Sequence, residues 1–148
     1  MCLNEIITNP EKLSPRLKKK YSLIQDGCIG YKFFGENGLA FRANIHNWYD
    51  GEWAYANTMP SPYNTYKAPL LMAADYEEYF AGFHLYYNLS AAINNGTIAF
   101  GRISVYAFEC RNIITIGFDG YLGRTGLCIV AQQTRLLKKV WSNCISES

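Results

Sequence analysis

The longest run of strand-like alternation in the chain extends from Thr97 to Cys110, and it commits the chain to a sheet. Ile98, Phe100, Arg102, Ser104, Tyr106 and Phe108 fall on one side of it. Ala99, Gly101, Ile103, Val105, Ala107 and Glu109 fall on the other. A side-chain period of two over that length is the pattern of a strand. Ile113–Ile116 continues it.

Other strands surround this one. Cys28-Ile29-Gly30-Tyr31-Lys32-Phe33-Phe34 reads as a strand and Gly35-Glu36-Asn37-Gly38 as a turn, with Asn-Gly supplying positive φ. Leu39–His46 then reads as the second arm of a hairpin, with Leu39, Phe41, Ala43 and Ile45 on one face and Arg42, Asn44 and His46 on the other. Leu70–Tyr79 is expected to be a short helix with Asp75, Glu77 and Glu78 on its wet side. Ala81–Tyr87 reads as a short strand. Asn88 is placed to cap a brief helix over Leu89–Asn95 that stops at Gly96. Gln132–Trp141 fits either a helix or a closing strand. The expected fold class is α+β, predominantly antiparallel β-sheet with one or two short helices. Residues 1–26 read as an N-terminal arm or short helix, and 27–148 as a single β-rich domain.

Composition narrows the function classes. With 49% hydrophobic residues in 148, the chain has the material for one core. A net charge of +2 is too small for electrostatic binding of nucleic acid. There is no apolar run of about 18 residues, so no membrane span is expected. Met1–Leu13 is polar and lacks the apolar core of a secretory leader, which gives an expectation of a cytoplasmic protein. Five cysteines, an odd number with no CxxC pair, argue against a disulfide framework and against zinc. Cys28, Cys110 and Cys128 are expected to be reduced thiols filling strand positions in the core. No metal and no cofactor is expected.

The unusual feature is the ring content: 12 Tyr, 8 Phe and 3 Trp. Trp48, Tyr49, Trp53, Tyr55, Tyr63 and Tyr66 crowd one loop-rich stretch, and aromatic residues with arginine dominate contact energetics. The expectation is an outward-looking platform. Trp53 and Trp48 would stand in it beside His46 and Arg42, and Tyr31, His84, Tyr86 and Arg124 would complete the binding set. His84 and Tyr86 share a strand face and form the polar pair expected on a pocket wall, although a strand histidine also serves simply to order a turn. Gly117–Gly126, with Arg124, is more simply a tight loop than a phosphate cradle, because it lacks the Lys-Ser/Thr of a P-loop. Cys2, freed by loss of Met1, would carry its own amine as a base, but no glycine-rich oxyanion turn follows it.

Met1-Cys2-Leu3 at the start, Gly30-Tyr31-Lys32 on the first long strand, and Gly82-Phe83-His84 leading into an alanine-rich helix stand in a characteristic order. This resembles a loose group of uncharacterised small phage and prophage-type proteins. The resemblance implies a β-rich accessory protein of a phage or mobile element, acting in the cytoplasm of a host cell. It assigns no site. In that setting the expected role is a binding module, inhibiting a host protein or defence factor or sequestering a nucleotide-like ligand. A weaker likeness, to ADP-ribosyltransferases, implies an NAD-using enzyme in which Lys32, His84 and Glu109 line the cleft; here the early strand carries Lys32 in place of Arg or His, and there is no Ser-Thr-Ser strand. A minor virion structural protein, with the basic cluster Arg16–Lys20 touching neighbours, is the remaining alternative.

Overall fold

A computed structural model describes residues 3, 5–40, 43–49, 51–56, 70–72, 78–80, 82–119 and 126–145. The strands are β1 (Glu5–Ile6), β2 (Cys28–Gly35), β3 (Leu39–Ala40), β4 (Ala43–Asn44), β5 (Trp53–Tyr55), β6 (Leu70–Met72), β7 (Glu78–Phe80), β8 (Phe83–Tyr86), β9 (Ile103–Asp119) and β10 (Gly126–Ser142). The helices are α1 (Pro15–Gln25) and α2 (Leu89–Phe100). The fold is α+β with a mostly antiparallel six-stranded sheet, in the order β1-β9-β2-β8-β10-β5.

The 17-residue strands β9 and β10 pair with each other along almost their whole length, from Gly126 opposite Asp119 to Ser142 opposite Ser104. Register shifts between Val130 and Ala131, Leu136 and Lys138, and Lys139 and Trp141 interrupt the ladder. Such bulges increase local twist and let a long ribbon curl. The curl brings β2 against β9 and β8 against β10, and β2 meets β8 at Tyr31 opposite Tyr86. The pairings β9–β2–β8–β10–β9 therefore form a closed ring.

Helix α1 is capped by Ser14, whose Oγ accepts from the Leu17 N–H, with Pro15 in the first turn. Leu17, Tyr21 and Ile24 form its apolar stripe and pack with Ile116, Phe118, Leu127 and Ile129 of the long strands. The segment before Gly27 thus carries a helix laid on the sheet, and β1 is built into the sheet edge beside Gly117 and Phe118. Position 117 tolerates this approach because it has no side chain; a Cβ there would stand 2.3 Å from the Glu5 carbonyl oxygen.

Four expectations need correction. The helix that was to stop at Gly96 runs on to Phe100 and ends at Gly101, whose φ is +75°. Gly96 is a packing residue: a Cβ would lie 2.6 Å from Ile103 Cδ1 and 2.7 Å from Phe33 Cγ. The strand expected from Thr97 accordingly begins at Ile103. Leu39–His46 does not pair with β2; it folds on itself as β3 and β4, with Leu39 opposite Asn44, and continues into a 3-10 turn at Ile45–Asn47. Leu70–Met72 and Glu78–Phe80 pair as an antiparallel two-stranded sheet and not a helix. Short apolar runs of this length fit either state, and here pairing decides. Gln132–Trp141, open between helix and strand, is strand within β10.

Replacing Gly96 by alanine is expected to lower stability by about 1–3 kcal/mol, because overpacking against Phe33 and Ile103 exceeds the roughly 1 kcal/mol gained in helix propensity. Urea denaturation monitored by circular dichroism checks this, and an unchanged or raised midpoint would show that α2 can lift from the sheet at no cost.

Candidate functional site

Directly opposed residues of antiparallel strands share a face, and faces alternate along each strand. The register then sorts the sheet around β9 into two surfaces. Ala54, Thr134, Cys110 and Cys28 form a row on the inner face, where Cys110 and Thr134 are buried. Trp53, Arg135, Glu109 and Ile29 form the next row, on the outer face, with Tyr55, Gln133 and Arg111 alongside. Further along β2 and β9 the same outer face carries Tyr31, Phe33, Ile103 and Val105, which pack with Ala91 and Ala92 of α2. The helix packs on that end of the face.

The Trp53 end is organised around one ring. The Arg111 guanidinium carbon lies 3.5 Å from the Trp53 ring centroid, and that of Arg135 lies 5.0 Å away. Arg135 also forms an ion pair with Glu109, each side chain about a third exposed. No ion pair involves Arg111 among the described residues. Cation–π stacking covers the flat faces of a guanidinium and leaves its in-plane N–H donors free for a carboxylate or phosphate. Tyr55 is exposed, and Ile29 is an exposed apolar side chain at the far end of the row.

The rings expected in the platform differ in exposure. Tyr49 and Tyr55 are exposed, at 69% and 42%, and Trp53 is half-buried on the outer face. Trp48 is a core ring, only 6% exposed, and is withdrawn from the surface set. Its Nε1–H donates to Thr134 Oγ1 at 3.0 Å, and the ring packs on Phe34, Phe83 and Phe108. Tyr63, Tyr66, Arg42, Arg124 and Cys2 lie outside the described residues. His46 is exposed in the 3-10 turn and lines a 290 Å³ hollow with Tyr106 and Lys139, away from the rows above.

The polar pair expected on a pocket wall is sealed. His84 is 5% exposed, with Nδ1 3.1 Å from the Gly82 carbonyl oxygen. Tyr86 is 1% exposed and donates to Asp119 Oδ2 at 2.7 Å. Burial, with the nearby Cys128 and Asp119 charges, pushes the Tyr86 phenol far up. Tyr31 is half-buried against α2. Nor does the trio Lys32, His84 and Glu109 line one cleft. Lys32 and Glu109 alternate to opposite faces, since Ile29 opposes Glu109 while Lys32 opposes Tyr106. Lys32 is buried and its Nζ donates to the His84 carbonyl at 3.0 Å, a structural tie between β2 and β8.

Sequence reasoning missed Arg111 and Arg135 as site residues. The signal was partial: both are arginines on alternating strands, but nothing local shows that the two strands pair or that β5 brings Trp53 beside them. Lys32 was readable as buried, because it shares a stripe with Cys28, Gly30 and Phe34.

Burial lowers the Lys32 ammonium pKa from 10.5 to about 8. Below that pH the folded protein holds a desolvated cation; between about 8 and 10.5 it releases the proton while the unfolded chain keeps it, so stability from this group rises with pH. The gap corresponds to about 3 kcal/mol. Lys32→Met is therefore expected to lose about 2–3 kcal/mol relative to wild type between pH 7 and pH 10. Taking the difference between the two proteins removes the opposite trend from Tyr86, whose raised pKa weakens the fold at high pH. Urea titrations at both pH values test this; a difference that does not change with pH would mean that water reaches the ammonium. Among the described residues no group of three His, Cys, Asp or Glu could hold a metal ion, and no helix is long and apolar enough to cross a membrane.

Comparison with protein-family models, with curated proteins and with solved structures returned no match.

Proposed function

We propose that the protein is a binding module that engages a partner protein through the outer sheet face carrying Trp53, Arg111, Arg135 and Tyr55. The observation that carries this reading is the Arg111 guanidinium stacked at 3.5 Å on Trp53, on the outer face of the sheet. The stack fixes a long side chain before any partner arrives, which reduces the entropy lost on binding. The in-plane N–H groups donate to a carboxylate in bidentate geometry, and the ring edge and Ile29 supply apolar contact on the same face. The partner surface complementary to this is an acidic side chain set among apolar ones. Occlusion of such a surface needs no catalytic group. The resemblance to small phage and prophage-type proteins supplies the setting: a host protein or defence factor held in the host cytoplasm.

Wild type, Trp53→Ala, Arg111→Glu and the control Ile98→Ser, on the far side of α2, are immobilised and exposed to host-cell lysate. A specific partner is expected to be retained by wild type and by the control. It is expected to weaken by at least about tenfold, or 1.4 kcal/mol, with either substitution in the face. Equal capture by all four proteins rejects this face. Thermal stabilisation of wild type by free nucleotides, lost with Arg111→Glu, would point instead to a nucleotide-like ligand on the same residues.

A further inference from the structure

Cys28 and Cys110 are directly opposed in the β2–β9 ladder, and so share the inner face. Opposed residues of antiparallel strands stand about 4.5–5.5 Å apart at Cα. A disulfide spans about 4.4–6.8 Å between the same atoms, so the backbone already holds the pair at bonding distance. Both are free thiols, and the Cys110 thiol donates to the Phe108 carbonyl oxygen at 3.8 Å. Their exposure differs: Cys110 is fully buried, whereas Cys28, at the start of β2, is half-buried. Cys128, by contrast, has no cysteine opposite it in either of its strand pairings, which set it against Tyr86 and Gly117.

We propose that Cys28 and Cys110 form a peroxide-oxidisable dithiol, with Cys28 the attacking and Cys110 the resolving cysteine. The Cys28 thiolate attacks one oxygen of a hydroperoxide, the O–O bond breaks, and the leaving oxygen takes up a proton, as water when the oxidant is hydrogen peroxide. Cys28 is then a sulfenic acid, oxidised by two electrons. The Cys110 thiol attacks the Cys28 sulfur, the S–O bond breaks, and hydroxide departs as water with the Cys110 proton. Two thiols and one hydrogen peroxide thus give one disulfide and two waters. The neighbouring Cys110 side chain holds the Cys28 pKa below its ordinary value, against the effect of burial, while Cys28 and burial together push Cys110 up. This is the order the two roles require, since the more acidic and more accessible thiol reacts first. The product would covalently tie the neighbouring strands β2 and β9.

The test treats the purified protein with hydrogen peroxide, alkylates the remaining thiols and maps digests by mass spectrometry. Wild type and Cys144→Ser are expected to give a Cys28–Cys110 linked peptide that dithiothreitol removes. Cys110→Ala is expected to give no link and to leave Cys28 as a sulfenic acid captured by dimedone. Cys28→Ser is expected to give neither. As a second readout, which does not depend on the folding of the Cys110 variant, peroxide is expected to raise the urea midpoint of wild type and leave that of Cys28→Ser unchanged. A wild-type protein that oxidises at Cys144 or Cys128 while Cys28 and Cys110 stay reduced overturns the proposal, as does a link from Cys28 to any other cysteine.

Discussion

The pairing of β9 with β10 is the interaction on which the rest of the structure depends. The other four strands of the main sheet hydrogen-bond to one or both of these two: β1 and β2 to β9, β5 to β10, and β8 to β10 with a single rung to β2. Both helices pack on side chains that the long ribbon presents. A flat ribbon of that length would expose both faces to water. The bulges in β10 after Leu136 and Lys139, and the left-handed Asn112 in β9, bend it so that one face turns inward on Phe34, Phe83 and Trp48. The inner cluster and the outer face are therefore two consequences of one ladder.

That ladder also explains how the outer row around Trp53 is set. Along β9 the residues alternate between Cys110, sealed inside, and Glu109 and Arg111, both outside. Along β10 Thr134 ties to Trp48 in the core while Arg135 meets Glu109 on the surface. The outer residues hold their positions because the inner ones are packed. Trp53 owes its place beside Arg111 to three rungs of β5, not to any preference of its own loop.

Much of the fold class was legible in the chain, because it rests on period-two alternation and turn chemistry that are local. The β2 strand, the Gly35–Gly38 turn and the sheet-dominated α+β class all follow from that level. What was not legible depends on distant packing. Gly96 looks like a helix stop in sequence and is instead the point where α2 meets Phe33. Trp48 and Trp53, five positions apart, look alike as exposed rings; a hydroxyl 86 residues away draws one of them into the core. Nor does local pattern reveal that Cys28 and Cys110 stand opposite each other, or that Arg111 and Arg135 meet at one tryptophan, because those facts belong to strand register.

The closed ring of pairings has a consequence for the order in which the chain takes shape during synthesis. Translation delivers a protein from its N-terminus, and domains generally fold as units. Here β2 and β8 emerge well before the two long strands that give them their partners. Until β10 has left the ribosome the ring of pairings stays open, and β8, with Phe83 and Tyr86, lacks the strand that supplies all but one of its rungs.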